Sequence, residues 1–301
     1  MASVVLFGAG ASFGCGDVEP CRPPLGNGQD GLFARLEAAG GVAAALPDSL
    51  KELFRQDFER GMASYYELND RNTMTFQREL AAYLASFRPG SQNHYRRLIE
   101  ALGVSSVVYS SLNYDLLLEL AAGAAGIKRI SYDARPEAPG IRILKPHGSC
   151  NFWPDLNGNM FRGFTFRNNG QADIEAPIRP LSLPATIHRC MSEDSIAPAM
   201  ALYAVGKAVR VCPGFILQQQ EQWRDAVARA SSVFVVGVRV HVVDEHIWGP
   251  LQSTKAAVTY FGREPDRAAF LAWKALGKKN AYFVEETFEQ CIGTIKSRVR
   301  G

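Results

Sequence analysis

The sequence predicts an α/β protein: a mostly parallel sheet with helices on both faces, and a helical lobe inserted between its first two strands. Three observations predict it. Six short apolar runs with β-branched residues recur at 4–7, 104–109, 141–144, 233–238, 257–261 and 281–284. Helical patterns at 115–122, 218–230, 265–276 and 287–299 alternate with them, and such alternation builds a parallel sheet covered on both faces. The stretch 28–100 breaks the alternation, reading as helices at 32–39, 48–60, 75–87 and 94–101 without a convincing strand.

Taken in order, the first strand is Val4-Val5-Leu6-Phe7, which runs into Gly8-Ala9-Gly10-Ala11-Ser12. A bare backbone directly after a strand lets N–H groups approach a phosphate, and a helix starting near Ser12 adds its positive end. The lobe follows, entered through Pro20, Pro23 and Pro24. Its apolar residues fall at helical spacing, as in Leu50, Leu53, Phe54 and Phe58 and in Phe76, Leu80, Tyr83 and Leu84. The second strand, 104–109, leads to Ser111-Leu112-Asn113-Tyr114-Asp115 and a Leu/Glu/Ala helix. The third, 141–144, leads to Lys145-Pro146-His147-Gly148-Ser149. Residues 151–215 are rich in Pro, Gly and Asn and read as a long irregular excursion near the site. The last strands and helices complete the alternation, with Val235-Val236-Gly237 ending one of them.

Length and composition limit the function classes. A chain of 301 residues, 47% hydrophobic and 21% charged, suits one large domain over 1–301. The net charge of +3 gives no argument for nucleic acid or a membrane surface. No apolar run is long enough to span a bilayer, no signal peptide is legible at Met1, and a cytoplasmic location follows by default. The six cysteines (Cys15, Cys21, Cys150, Cys190, Cys212 and Cys291) form no C-x-x-C pair, so no zinc module is expected. His241 and His246, read on one helix, face different sides, so no metal is expected there either. Cys15 lies beside the glycine loop; packing is its expected role, reactivity the alternative.

Each strand end has a plain structural explanation. The glycines could form an unliganded turn, Asn113 or Asp115 could cap the following helix, and a lone histidine is often structural. The G-x-S-x-G match at Gly10–Gly14 lacks the preceding strands and oxyanion loop of a nucleophile elbow. The dinucleotide fingerprint is also incomplete, since Phe13 stands where the third glycine belongs. Three strand ends carrying such residues at one sheet edge, where open α/β sheets bind ligands, nevertheless form a coherent set.

That ordered set resembles the sirtuin-like superfamily. Its carriers are Gly8-Ala9-Gly10-Ala11-Ser12, Asn113-Tyr114-Asp115, His147-Gly148 and Val235-Val236-Gly237, spread over nearly the whole chain. The resemblance implies a Rossmann-like core that binds NAD. Gly8, Ala9, Gly10, Ala11 and Ser12 would hold the pyrophosphate. Asn113 and Asp115 would position nicotinamide and its ribose, and His147 would serve as base. Protein-deacylating sirtuins carry two cysteine pairs for zinc, and a serine two residues after the late glycine; this chain has no such pairs and Arg239 at that place. The helical insertion, Gln222-Trp223 and Asp244 look instead like the bacterial antiphage branch, whose sirtuin-like domain hydrolyses NAD.

The expected function is therefore an NAD glycohydrolase, with NAD as substrate and Asn113 and His147 as its catalytic residues. Gly8–Ser12, Asp115, Gly237 and Arg239 are the expected NAD-binding residues, Arg239 touching ribose or phosphate. The alternatives are an NAD-dependent protein deacylase and a catalytically silent nucleotide-binding module that recruits a partner. Unchecked NAD hydrolysis would harm the host, so gating is expected through a homo-oligomer or an activator. The resemblance suggests a helicase-like ATPase or a short Argonaute.

Overall fold

A computed structural model describes residues 2–133, 139–156, 163–166, 172–202 and 209–300. The first half of the chain runs β1 (Ser3–Phe7), α1 (Ala9–Phe13), β2 (Val18–Glu19), α2 (Leu32–Ala39), α3 (Gly41–Ala45), α4 (Asp48–Gln56), α5 (Phe58–Leu68), α6 (Met74–Leu84), β3 (Arg88–Pro89), α7 (His94–Leu102), β4 (Val107–Ser111), α8 (Leu117–Ala124), β5 (Ile130–Ser131) and β6 (Ile141–Leu144). The second half runs β7 (Phe152–Pro154), β8 (Gly163–Phe166), β9 (Ala172–Glu175), β10 (Ile178–Pro180), α9 (Leu183–Ser192), α10 (Pro213–Ala228), β11 (Ser232–Val236), α11 (Glu245–Ser253), β12 (Ala257–Gly262), α12 (Glu264–Ala275), β13 (Ala281–Glu285) and α13 (Phe288–Arg300).

Seven strands form one parallel sheet in the order β13-β12-β11-β1-β4-β6-β5, a Rossmann-like arrangement. The two-residue side-chain period divides it between two cores. Val5, Phe7, Phe234 and Val236 face one core, which α7, α8, α13 and the lobe cover. Val4, Leu6, Val233 and Val235 face the other, filled by Trp223 of α10, Ile247, Trp248 and Leu251 of α11, and Phe270 and Trp273 of α12. After β1 the chain builds outward through β4, β5 and β6, then returns to the opposite side of β1 as β11. The crevice at the carboxyl ends of β1 and β11 is thus the switch point of the topology, the usual ligand position in such sheets.

Several sequence expectations need adjusting. The helix read over 48–60 is two helices, because Asp57 leaves helical geometry and its carboxylate accepts from Arg60 N (3.1 Å), capping α5. The stretch 28–100 does contain a strand, the two-residue β3, which pairs with β2 and is too short to show a period. The lobe also has no core of its own. Phe33, Phe54, Phe58 and Phe76 join the same buried cluster as Val5 and Phe7, and α7 packs against α8 and α13 in the sheet's covering layer.

The excursion 151–215 is more regular than expected. Its described residues include the antiparallel pairs β7–β10 and β8–β9 and the helix α9, which packs on α6. Gln77 Nε2 donates to Pro198 O (2.6 Å), and buried Arg78 donates through Nη1 to Ile196 O (3.0 Å), tying excursion to lobe.

Candidate active site

Two glycine turns meet at the switch point. Gly10 N donates to Gly237 O (2.9 Å), and Ala11 N donates to Gly8 O (2.9 Å). A Cβ on Gly8 would lie 2.6 Å from Gly237 O, and one on Gly237, at φ +61°, would lie 2.1 Å from Ala11 N. Only backbone without side chains permits this approach. The glycines thus have a packing reason independent of any ligand, and the Gly10 and Ala11 N–H groups already have protein acceptors. The helix begins at Ala9, three residues before the expected start, and places Ala9 at the surface.

Ser12 sits at the centre of a buried polar cluster. Its hydroxyl donates to Asp115 Oδ2 (2.8 Å), and Asn113 Nδ2 donates to Ser12 Oγ (2.8 Å). Tyr95 OH lies 3.0 Å away and must be the donor, since the one serine proton is engaged. One donated and two accepted bonds saturate a hydroxyl, so the G-x-S-x-G serine has no spare capacity to act as a nucleophile. Tyr95 itself, fully buried, is pushed well above the ordinary phenol range by desolvation.

Asn113 gives its second amide proton to Gly8 O (2.9 Å), so both of its donors hold the glycine loop. Asp115 Oδ1 accepts from Leu117 N (3.0 Å), the first residue of α8, but Asp115 stands one position before the N-cap Leu116 and so does not cap the helix as considered from sequence. Tyr114, between them, donates to Ala201 O and accepts at its own carbonyl from Cys150 N (3.0 Å).

Lys145, fully buried after β6, binds this loop to the next strand end. Its Nζ donates to Asp115 O (2.8 Å) and lies 3.3 Å from Glu119 Oε1, while its backbone N donates to Gln219 Oε1 (3.0 Å). Burial raises the Glu119 pKa, and the Lys145 charge opposes that rise.

His147 is only 5% exposed, and its Nε2 lies 2.8 Å from Nε2 of His246. His246 comes from the first turn of α11, whose Ile247, Trp248 and Leu251 anchor it in the core. The helix begins at Glu245, so His241 precedes it, correcting the single-helix reading of the two histidines. Among the described residues no group of three or more His, Cys, Asp or Glu is placed to hold a metal ion. Cys15 is buried, donates to Ser12 O (3.0 Å), and has its pKa pushed up to about 12 by desolvation, which removes the reactive reading.

The strand ends bring Ser12, Asn113 and Asp115 into one network, with His147 on the neighbouring strand end. Gly237 joins through the backbone. Arg239 is exposed in the loop after β11, and no hydrogen bond or ion pair links it to this cluster. Two groups escaped the sequence. His246 had no signal beyond its residue type. Arg22 lines, with Phe13, Asn27, Asp30 and Arg35, a cavity of about 490 Å³ beside the glycine loop, its guanidinium 4.8 Å from the Phe13 ring centre. Neither Asn113 nor His147 lines that cavity.

No protein-family model matches the sequence, and no curated protein matches it. Similar solved structures include a Sir2 homologue mutant in complex with ADP-ribose, at 18% identity, 99% of this chain, 92% of that chain and a TM-score of 0.46. A second, solved for the mechanism and regulation of Sir2 enzymes, has 14% identity, coverage of 99% and 92%, and a TM-score of 0.45. A third, Sir2Af2 bound to a myristoylated histone peptide, has 13% identity, coverage of 99% and 91%, and a TM-score of 0.42. Likeness at this level carries no argument about activity; what the cleft can do is decided by its own side chains.

Proposed function

We propose that this chain is an NAD glycohydrolase that releases nicotinamide and ADP-ribose. The observation that carries this reading is the joining of Asn113, Ser12 and Asp115 to the Gly8–Ala11 turn, with His147 at the adjacent strand end. The turn, with Gly237 behind it, would face the pyrophosphate. The Arg22 and Arg35 cavity beside it supplies positive charge for a dinucleotide, while Arg239, exposed in the loop after β11, would meet ribose or phosphate. Asn113 would orient ribose and water through its carbonyl oxygen, and Asp115 would fix the nicotinamide amide.

In the reaction the bond from C1′ to the nicotinamide nitrogen breaks, and its electron pair leaves with a now neutral nicotinamide. The oxygen of one oriented water bonds to C1′, and His147 accepts the proton that water loses. Incubation of the chain with NAD should yield nicotinamide and ADP-ribose in equal amounts. Transfer of an acyl group from an acyl-lysine peptide to ADP-ribose would instead favour the deacylase. NAD binding without turnover, in every assembly state tested, would favour the silent module.

Such an activity needs a gate, which fits a defence effector held inactive until triggered through self-association or an activator such as a helicase-like ATPase or a short Argonaute. The lobe 28–100 is the proposed lid. Hydrogen exchange on resting and activated forms should show protection changes there; a silent lobe with changes confined to 151–215 would move the lid to the excursion.

A further inference from the structure

Asn113, Asp115 and His147 follow β4 and β6, on one side of the β1 turn. A dinucleotide whose nicotinamide lies there, with its pyrophosphate at the turn, extends its adenosine half over the carboxyl ends of β11 and β12. The register sets those two ends side by side: Val236 pairs with Phe261, so Gly237 and Gly262 follow as neighbours. Arg239 comes two residues after Gly237, and Arg263 directly after Gly262. Both backbones are fixed. Tyr260, on β12, donates its hydroxyl to Val238 O (2.5 Å), and Arg263 N donates to Asp266 Oδ2 (2.8 Å). Both side chains are exposed, and among the described residues neither guanidinium donates a hydrogen bond or joins an ion pair. Two held backbones thus present two uncommitted guanidinium groups at adjacent strand ends.

We infer that Arg263, with Arg239 beside it, binds a phosphate on the adenosine 2′-oxygen, so that the cleft takes NADP more tightly than NAD; this rests on the reading of the cleft as a dinucleotide site. In α/β dinucleotide sites, a carboxylate at such a strand end accepts from the ribose 2′-hydroxyl and selects NAD, whereas an arginine there accommodates the 2′-phosphate of NADP. Here the residue directly after β12 is Arg263. The two carboxylates that follow it are engaged by the chain itself. Glu264 Oε2 accepts from Arg267 Nε (2.7 Å), and Asp266 spends Oδ2 on the Arg263 backbone at the start of α12. A guanidinium offers planar, paired N–H donors that match two phosphate oxygens, and a neighbouring second cation adds to the attraction. The 2′-phosphate sits on the ribose that does not react, so the bond broken is still the one from C1′ to the nicotinamide nitrogen. The products from NADP are then nicotinamide and the 2′-phosphate of ADP-ribose.

The test titrates the full chain calorimetrically with three probes: adenosine 2′,5′-bisphosphate, its 3′,5′ isomer and AMP. The 2′,5′ compound should bind about tenfold or more tighter than either of the others. Arg263→Ala should abolish that margin, Arg239→Ala should narrow it, and Arg263→Glu should reverse it against AMP. Thermal melting confirms that each variant is folded. In turnover, the ratio of kcat/KM for NADP to that for NAD should fall in Arg263→Ala by about the factor lost in binding. Equal affinity for the two bisphosphates would mean general attraction of anions and would overturn the inference. So would a margin that survives in folded Arg263→Ala, or a parent that binds none of the three probes. A parent that shows the margin but hydrolyses neither dinucleotide in any assembly state would overturn the glycohydrolase reading and leave the 2′-phosphate site standing. A parent that hydrolyses NAD and shows no margin would overturn the site alone.

Discussion

The two sides of the cleft are built differently. On the β1/β4 side, Ser12 is saturated, Asn113 gives both amide protons to the protein, and both Asp115 oxygens accept from it. On the β6/α11 side, two imidazoles meet Nε2 to Nε2 at 2.8 Å, a contact whose donor is set by their tautomers. The difference separates two tasks. A saturated network fixes shape, because each group is held by several others and leaving one unmatched is costly. Imidazole is the side-chain chemistry most often used to carry a proton in catalysis. On the proposed reading, the first side places the substrate and the second moves its proton.

The largest expected effect tests that division directly. His147→Ala should lower NAD turnover by about 10²–10⁴-fold while leaving the melting transition near the parent's. Asn113→Ala should reduce turnover and stability together, because it also releases Gly8 O and Ser12 Oγ. Nicotinamide release measured beside thermal melting checks both, and the contrast fails if the two variants lose stability equally.

Next comes the ion pair beneath the saturated side. Lys145→Met should destabilise the fold by about 3–5 kcal/mol, since it leaves the Glu119 carboxylate buried and unpaired. Burial raises the folded-state pKa of Glu119, so protonation favours the folded chain. The penalty should be full above that raised value and should recede as pH falls from it toward the unfolded one. Urea unfolding at neutral and acid pH measures it; a penalty independent of pH would exclude Glu119 as its source.

Ser12→Ala is expected to cost about 1–3 kcal/mol, by leaving Asn113, Asp115 and Tyr95 each short of one partner. Denaturant midpoints of Ser12→Ala, Asn113→Ala and the double variant would show coupling if the network acts as one unit. The smallest expected effect is an absence. With its pKa pushed up to about 12, Cys15 stays protonated between pH 7 and 9 and should resist alkylation in the native chain, while exposed Cys21 reacts. Mass mapping of the labelled sites checks this, and rapid labelling of Cys15 would show that the glycine loop opens readily.

Much of this was legible in the sequence. The six predicted strands are all present, because continuous apolar runs of four to six residues have no other good place than a sheet buried on both faces. The second of them was placed early. Ser110 and Ser111 belong to β4, and their polarity hid them until ladder bonds to the neighbouring strands were seen. The two-residue β2, β3 and β5 could not be read, since so few residues carry no period. The helix α9 was lost among the prolines and glycines around it.

By itself the sequence determined the alternation of strands and helices, the helical character of 28–100, and the presence of glycine, asparagine and histidine at strand ends. These are local properties, set by side-chain period and by backbone freedom within a few residues. Only the tertiary structure decided that Gly8 and Gly10 are needed for contact with Gly237, that Asp115 and Asn113 spend their polar atoms on one serine and one turn, and that His147 meets His246. Those contacts join residues about 100 to more than 200 positions apart. No periodicity records them, because they exist only after the sheet has brought its strand ends side by side.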